Sequence, residues 1–228
     1  MPIDPNVANL LRVARALGDL ADEFVFTGGA TVGLLTTDPA APQARPTNDV
    51  DCVVETTSRA EYDTRIRNAL LEKGFVELVA EGVPVCAWTI EGIRLDVMPT
   101  TEEVLGFSNE WYVGGVNNAV WSELEGVRFQ MFSAPYFIAS KIEAFRDRGR
   151  NDFRASHDVE DIVAVIDGRE SVVDDVMSSP ASVREYIKAQ LEQLLQYSRF
   201  IEALRGHVLE SGRAEIVQER MERINQSK

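Results

Sequence analysis

Two aspartates one residue apart, Asp49 and Asp51, open an apolar run that reads TNDVDCVV. Alternate side chains of a β-strand project to the same face, so the run predicts a strand that presents both carboxylates on one side. Two neighbouring negative charges disfavour each other's ionisation unless a cation lies between them. A hard divalent cation, Mg²⁺ or Mn²⁺, suits such a pair, because Mg²⁺ is usually held by one or two carboxylates together with phosphate oxygens. Taken alone, the pair also fits a polar start of an exposed strand.

A third carboxylate, Asp96, lies inside a later apolar run, IRLDVM. Burying an unpaired charge is costly, so this side chain needs a partner. We expect that partner to be a metal ion shared with the two earlier aspartates.

A glycine pair, Gly28 and Gly29, separates a short predicted strand from a short predicted helix upstream of the aspartates. Glycine allows the backbone to approach a ligand closely, and amides at the start of a helix suit phosphate oxygens. The stretch therefore predicts a phosphate-binding turn, although a plain tight turn fits the same residues.

The elements that must position these residues follow from periodicity. Apolar spacing predicts a helix over residues 6–21, a strand over 24–26, a short helix over 30–35 and a loop rich in Pro and Ala before the two aspartates. Ser58 is a plausible N-cap for a helix that ends near Gly74. The runs FVELVA, VPVCAWTI, IRLDVM and VRFQMF predict strands, and helical periodicity dominates from residue 133. We predict an α/β domain over residues 1–132 and a helical domain over 133–228.

The composition limits the classes of function. The 228 residues contain 23 Lys and Arg against 37 Asp and Glu, a formal charge of −14, which argues against broad attraction to nucleic acid or anionic lipid. A polyanionic substrate would need a locally positive site or metal ions. Two cysteines make no disulfide framework, the start lacks a signal-peptide pattern, and no apolar run approaches the roughly 20 residues of a membrane span. We expect a cytoplasmic protein without membrane association.

The motifs FTGGATVGLL, RPTNDVDCVV and RLDVMPT together resemble the nucleotidyltransferase superfamily that shares the core of DNA polymerase β. The resemblance implies an α+β fold, with a mixed β-sheet, flanking helices and a C-terminal helical region. It implies that Thr27, Gly28 and Gly29 hold the phosphates of an NTP. It also implies that Asp49 and Asp51 bind catalytic metal, and that Asp96 completes the site or activates the acceptor hydroxyl. Paired metals in such enzymes stabilise the attacking and leaving oxygens of an in-line displacement.

The stretch SAPYFIASKIEAFRDRGRNDFRASHDVEDIVAVI resembles the helical half of the AbiEii-type nucleotidyltransferases, toxins of bacterial toxin–antitoxin systems. This resemblance implies functional roles for Lys141 and Asp158, and it matches Arg45 to the basic residue that precedes the two aspartates. His157 departs from the pattern, since the family more often has Arg or Lys there.

The residues themselves leave alternatives open. Lys141 lies among apolar neighbours, and as a functional residue it would bind the nucleotide by offering a compact cation to the triphosphate. It also fits a lysine that extends to water along apolar surface. Asp158 also fits an acid that complements a helix N-terminus capped by Ser156, and Asp161 is the neighbour that could take its functional role. Cys52 is predicted to be a small core residue.

Four arginines, Arg146, Arg148, Arg150 and Arg154, cluster in an otherwise acidic chain. They fit a solvated loop with internal Asp pairing, or a patch that contacts the phosphates of a nucleic-acid acceptor.

Taken together, the sequence predicts a Mg²⁺-dependent transfer of NMP from an NTP to a hydroxyl. The expected acceptor is RNA, such as a tRNA 3′ end, or a protein, and a toxin role implies an antitoxin protein as partner. Two alternatives stay open: a nucleotide-sensing or partner-binding module without turnover, and a small-molecule nucleotidyltransferase that modifies an antibiotic.

Overall fold

The computed structural model describes residues 4–149, 151–208 and 212–227. The chain divides into two compact units. The first contains the chain up to Gly33 together with Arg45–Ser133, and the second contains Leu34–Ala44 together with the chain from Ala134 onward. The segment Leu34–Ala44 therefore belongs by its contacts to the helical unit. The division into domains over residues 1–132 and 133–228 stays a prediction.

The first unit is built on one mixed sheet. Its strands are β1 (Phe24–Thr27), β2 (Asp49–Val54), β3 (Val76–Glu77), β4 (Ala87–Ile90), β5 (Ile93–Pro99), β6 (Val120–Leu124) and β7 (Val127–Met131). Within the described residues these seven strands pair in the order β3-β4-β5-β2-β1-β7-β6. The pairs β2–β5 and β1–β7 are parallel, and the others are antiparallel. The predicted fold class, a mixed sheet with flanking helices followed by a helical region, is confirmed.

The helices that accompany the sheet in sequence are α1 (Pro5–Leu17), α2 (Val32–Leu35), α3 (Arg59–Glu61), α4 (Arg67–Glu72), α5 (Glu102–Leu105) and α6 (Tyr112–Asn117). The helix predicted over residues 6–21 ends earlier as an α-helix, because Gly18 has a φ of +60° and the chain continues as a 3₁₀ helix, Gly18–Glu23. The helix predicted after Ser58 is present, and the Ser58 hydroxyl accepts a hydrogen bond from the Glu61 amide at 3.2 Å. A π-helical segment, Tyr62–Ile66, joins α3 to α4.

The outer parts of the sheet differ from the sequence prediction. Of the run FVELVA only Val76–Glu77 pair as a strand, and Val79 is almost fully exposed. The edge strand β6 and helix α6 were not predicted. Most of β6 faces solvent on both sides, so it lacks the alternation of buried and exposed residues that identifies a strand.

The second unit is helical. It contains α7 (Ala134–Arg148), α8 (His157–Gly168), α9 (Val172–Ser178), α10 (Ala181–Gln196), α11 (Ser198–His207) and α12 (Arg213–Gln226). The buried Arg213 donates to the carboxylates of Asp167 and Asp38, at 2.7 and 2.8 Å. The amides of Thr37 and Asp38 donate to the Gly168 carbonyl, both at 2.8 Å. These contacts hold Leu34–Ala44 to the helices.

None of the helices in the described part of the chain combines the length and the apolar character needed to cross a lipid bilayer.

Candidate active site

Three carboxylates meet on one face of the sheet in the first unit. The parallel pairing of β2 with β5 places Asp51 opposite Asp96, and Asp49 opposite Arg94. Each of the three aspartates offers an oxygen, and these oxygens all lie within 4.8 Å of one another. All three side chains are half-buried. The set consists only of carboxylate oxygens, which are the ligands that Mg²⁺ and similar hard cations prefer, so these residues fit a divalent cation.

The opposite face of the same strands explains why the aspartates point where they do. Val50, Cys52, Leu95 and Val97 alternate with the polar residues and are buried in the core. A shift of register by one residue would exchange the two faces and bury the carboxylates instead. Cys52 is the small core residue that the sequence predicts, and burial raises the pKa of its thiol well above the ordinary value.

The glycine turn lies directly against one of the carboxylates. Thr27, the last residue of β1, is paired with Asp51, and Gly28 follows with a φ of +72°. A Cβ atom on Gly28 would lie 1.9 Å from Oδ2 and 2.7 Å from Cγ of Asp51. The position therefore requires glycine for two reasons, the backbone conformation and the space that the carboxylate occupies.

The turn continues as a short 3₁₀ helix, Gly29–Thr31, before α2. The Thr31 hydroxyl and amide both donate to the Gly28 carbonyl, at 2.9 and 3.1 Å, and so fix the turn. A Cβ on Gly29 would lie 3.3 Å from a guanidinium nitrogen of Arg45 and 3.3 Å from Cβ of Thr47. The structure thus places the predicted Arg45 beside the predicted glycine turn.

A buried asparagine on α1 holds the segment that leads into β2. The Asn6 side chain donates to the Arg45 carbonyl at 2.8 Å and accepts from the Thr47 amide at 3.0 Å. The Thr47 hydroxyl in turn donates to Oδ1 of Asp49 at 2.6 Å. Sequence reasoning missed Asn6 and Thr47. Strand alternation could have identified Thr47, two residues before Asp49, whereas no local signal connects Asn6 to a segment so far along the chain.

Asp96 has a protein partner in addition to its place in the carboxylate cluster, and the shared metal stays a prediction. Arg94, two residues earlier on the same face of β5, donates to both oxygens of Asp96 at 2.8 Å each. The hydrogen bonds and charge of Asp96, with a contribution from Asp49, raise the pKa of the Arg94 guanidinium above its ordinary value. The arginine offsets one of the negative charges in the cluster and fixes the orientation of the Asp96 carboxylate. Sequence reasoning missed it, although alternation places it on the same face.

Lys141 and Asp158 lie in the helical unit, where they belong to a buried group of charges. The Lys141 ammonium is 2.7 Å from an oxygen of Asp161 and 3.3 Å from an oxygen of Asp158. Its side chain is only 11% exposed, so the interpretation of a lysine that extends to water is wrong. Both aspartates contact the lysine, and the choice between them as the functional acid stays a prediction.

Arg148, whose side chain is 68% exposed, pairs with this group from the surface by donating to both oxygens of Asp158, at 2.8 and 2.9 Å. Burial raises the pKa of the Asp158 carboxyl, but the hydrogen bonds from Arg148 and the charges of Lys141 and Arg148 outweigh it, so the pKa lies below the ordinary value. Asp158 also lies in the first turn of α8, whose N-cap Ser156 accepts from the Val159 amide at 3.4 Å. The predicted helix-terminus role is therefore compatible with the ion pairs.

Arg146 and Arg154, two further arginines of the predicted patch, are exposed as Arg148 is. Arg146 lies 3.3 Å from Glu143, and Arg154 lies 3.6 Å from Glu202. Arg150 lies outside the described residues. These arginines pair locally with acids and remain accessible to solvent, and contact with the phosphates of a nucleic-acid acceptor stays a prediction.

Comparison with known proteins gives remote similarities. No protein-family model matches the chain, and no curated protein matches it. An antigenic nucleotidyltransferase-like protein from Paracoccidioides brasiliensis is 17% identical, with 87% of this chain and 92% of that chain covered and a TM-score of 0.49. A candidate nucleotidyltransferase from H. pylori is 10% identical, with 98% and 96% covered and a TM-score of 0.45. Because both similarities are so remote, the function proposed below depends on the residues of the site.

Proposed function

We propose that this protein is a divalent-cation-dependent nucleotidyltransferase that moves an NMP from an NTP to a hydroxyl group and releases pyrophosphate. One observation carries the proposal: the oxygens of Asp49, Asp51 and Asp96 lie within 4.8 Å of one another on the sheet face that also carries the Gly28 turn. Three carboxylates so close together repel one another, and a divalent cation relieves that repulsion. Asp49, Asp51 and Asp96 would hold Mg²⁺ or Mn²⁺, which supplies charge stabilisation for the transferred phosphoryl group.

The protein's own groups have separate tasks in the transfer. The hydroxyl oxygen attacks the α-phosphorus, the bond from that phosphorus to the bridging oxygen breaks, and pyrophosphate leaves with the electron pair. Asp96 is oriented by Arg94 and takes the proton of the attacking hydroxyl. Thr47 orients Asp49 through its hydrogen bond, and the absence of a side chain at Gly28 leaves the Asp51 carboxylate in place.

The nucleotide-binding residues are assigned with the support of the motif resemblance. We assign Thr27, Gly28, Gly29 and Arg45 to the triphosphate, because the glycine turn and the Arg45 guanidinium are neighbours in the structure. Lys141 and Asp158 are assigned functional roles from the resemblance to the AbiEii-type proteins. Their ion pair in the helical unit is compatible with that assignment and also with a structural role.

The proposed acceptor is RNA, such as a tRNA 3′ end, with a protein hydroxyl as the alternative. The resemblance of residues 133–166 to AbiEii-type toxins supports a toxin role, with an antitoxin protein as partner. Induced expression of a toxin should arrest bacterial growth, and Asp51→Asn should relieve the arrest. Unaffected growth with the wild-type protein would argue for another role, such as modification of an antibiotic.

A second candidate function is nucleotide binding without turnover. The bidentate pair of Arg94 with Asp96 favours it, because this arginine competes with a cation for the third carboxylate. Under this alternative the protein would bind NTP at the glycine turn and signal its presence to a partner.

The deciding experiment measures transfer of label. The purified protein is incubated with each α-labelled NTP, Mg²⁺ and either total tRNA or cell extract, and the labelled product is identified. We expect label on a macromolecular acceptor, lost in Asp49→Ala and Asp51→Ala and retained in Asp174→Asn, which changes an exposed aspartate of α9. Label on a small molecule would indicate the antibiotic-modifying alternative. Nucleotide binding by the wild type without transfer to any acceptor would contradict the enzymatic proposal and support the second candidate.

A further inference from the structure

The helical unit contains an aromatic cavity that the proposed catalytic residues do not use. It has a volume of about 230 Å³ and lies between α7, α8 and α10, near the start of α11. Its aromatic lining consists of Phe145, Phe153, Tyr197 and Phe200. The volume is below the roughly 300 Å³ at which sites for drug-sized ligands begin, so it suits one planar ring system.

The rings form a stack that ends in solvent. Phe153 lies between Phe145 and Tyr197, with centroid distances of 5.2 and 5.7 Å and interplanar angles of 35° and 37°. Phe200 packs against Phe153 edge-on, at 77°. The inner rings are buried, whereas Tyr197 is 56% exposed. The His207 ring lies 2.7 Å from the Phe153 carbonyl oxygen and anchors the backbone of the central ring.

The rim of the cavity carries groups that bind polar edges of a ring. Asn151, Gln190 and Gln193 line it with amide side chains, which both donate and accept hydrogen bonds. Arg146, also part of the lining, is more than half exposed. The aromatic rings can stack on the flat face of a ligand, and the amides can form hydrogen bonds with its polar edge. A nucleobase has both a flat face and a polar edge.

A second, more open cavity of about 430 Å³ adjoins the first through the shared residues Asn151 and Phe153. It is lined by two exposed arginines, Arg154 and Arg199. Two carboxylates also line it. Asp152 accepts from the amides of Arg154 and Ala155 and so stabilises a turn. Glu202 lies 3.6 Å from Arg154 in an exposed pair, and such pairs are weak in water, so a phosphate can replace it.

We infer that these two cavities bind single-stranded RNA: one unstacked base extends the aromatic stack at Tyr197, and the adjacent phosphates contact Arg154 and Arg199. The inference extends the proposed function, because it places a binding site for the RNA acceptor on the helical unit. Stacking on aromatic rings together with arginine contacts to phosphate is the usual way in which proteins hold unpaired nucleotides. A local positive site of this kind also resolves the difficulty that a formal charge of −14 raises for a polyanionic acceptor.

The test measures binding by fluorescence anisotropy at low salt, without NTP or divalent cation, so that the result does not depend on transfer. The probes are a labelled short single-stranded oligoadenylate RNA and an abasic oligonucleotide of the same length. We expect Tyr197→Ala to weaken RNA binding about 5- to 140-fold, which corresponds to base–aromatic stacking of about 1–3 kcal/mol at 1.4 kcal/mol per tenfold. Tyr197→Phe keeps the ring and should bind as the wild type. Because Tyr197 is exposed, neither variant should impair folding.

The abasic probe separates bases from phosphates. The abasic probe should bind more weakly than the RNA, and Tyr197→Ala should not change its affinity. Arg199→Ala should lower the affinity for both probes and reduce the dependence of binding on salt. The control Arg15→Ala removes an exposed arginine in the first unit and should change neither.

Three results would overturn the inference: wild-type protein that does not bind the RNA, wild-type affinity in Tyr197→Ala, or equal affinity for both probes. If the protein binds the RNA more tightly than the abasic probe but transfers no label, the proposed function is refuted and the binding site for the base is still supported. Transfer to RNA that is unaffected by Tyr197→Ala, with unchanged binding, would refute the base site alone.

Discussion

Replacing Gly28 by alanine tests the link between the glycine turn and the carboxylate cluster. The added Cβ would lie 1.9 Å from Oδ2 of Asp51, and also 2.7 and 2.8 Å from its Cγ and Cβ. A rotation of the carboxylate alone would not relieve contacts with all three atoms, so the whole Asp51 side chain must move. The backbone cannot adapt easily either, because Gly28 has a φ of +72° and a ψ of −170°, a region that is accessible almost only to glycine.

The loss of stability in Gly28→Ala has two sources, the backbone strain and the steric clash with Asp51. Backbone strain in such a region costs roughly 1–3 kcal/mol, and forcing an extra carbon into packed surroundings costs a further 1–3 kcal/mol or so. We expect Gly28→Ala to lower the free energy of unfolding by roughly 2–6 kcal/mol in total. Gly82→Ala is the matched control, because Gly82 has a φ of +78° and no atom lies within 4 Å of the added Cβ. Its loss of stability should therefore come from backbone strain alone.

The assay is urea unfolding of both variants with and without Mn²⁺, together with a calorimetric titration of Mn²⁺. A cation that binds only the folded wild type at one hundred times its Kd should stabilise it by about 2.7 kcal/mol. We expect this stabilisation to persist in Gly82→Ala and to disappear in Gly28→Ala, because Asp51 is displaced. Wild-type affinity for Mn²⁺ in Gly28→Ala, with no greater loss of stability than in Gly82→Ala, would refute the reasoning.

Three further predictions concern buried groups. Lys141→Met removes the ammonium that the buried carboxylates of Asp158 and Asp161 share, and it should lower the free energy of unfolding by about 3–5 kcal/mol in a denaturant titration; an unchanged midpoint would contradict this. The folded-state pKa of Asp158 is below its ordinary 3.8, so its stabilisation is present above that pH and is lost as pH falls through the folded value. Asp158→Asn should therefore flatten the dependence of stability on pH in acid, and an equally steep curve would argue against it. The buried Cys52 thiol, with its raised pKa, should resist alkylation in the native protein and react in denaturant, as mass spectrometry would show; rapid native labelling would contradict the burial.

The central part of the site could be predicted because its information is local. Alternation of buried and polar residues in β2 and β5 is visible in the sequence and assigns the aspartates to one face. The convergence of Asp51 with Asp96 depends in addition on the parallel pairing of two strands that are distant in the chain. The resemblance of the motifs implied the convergence but not the strand pairing, since no periodicity within either strand specifies its neighbour.

The sequence did not identify Asn6 and Arg94 as parts of the site, because their roles depend on contacts that only the folded structure shows. Asn6 has the sequence signature of an ordinary residue near a helix start, and its two hydrogen bonds to the segment before β2 exist only in the fold. Alternation places Arg94 on the same face as Asp96, but the sequence alone does not specify which carboxylate this arginine pairs with. Helix α9 is short and β6 is exposed, so neither presents the long amphipathic pattern that identifies an element.

The chain directions in the sheet explain why the polar groups gather where they do. β1 runs antiparallel to β2, and β2 runs parallel to β5. The last residues of β1 and the first residues of β2 and β5 therefore lie together at the same end of these strands. Gly28 leaves the sheet there, while Asp49 and Arg94 enter it. Residues at such ends are less constrained by the hydrogen-bonded ladder, so the turn can take a positive φ and charged side chains can reach solvent. The interior of the same strands remains apolar, so the stability of the core can offset the repulsion among the clustered carboxylates.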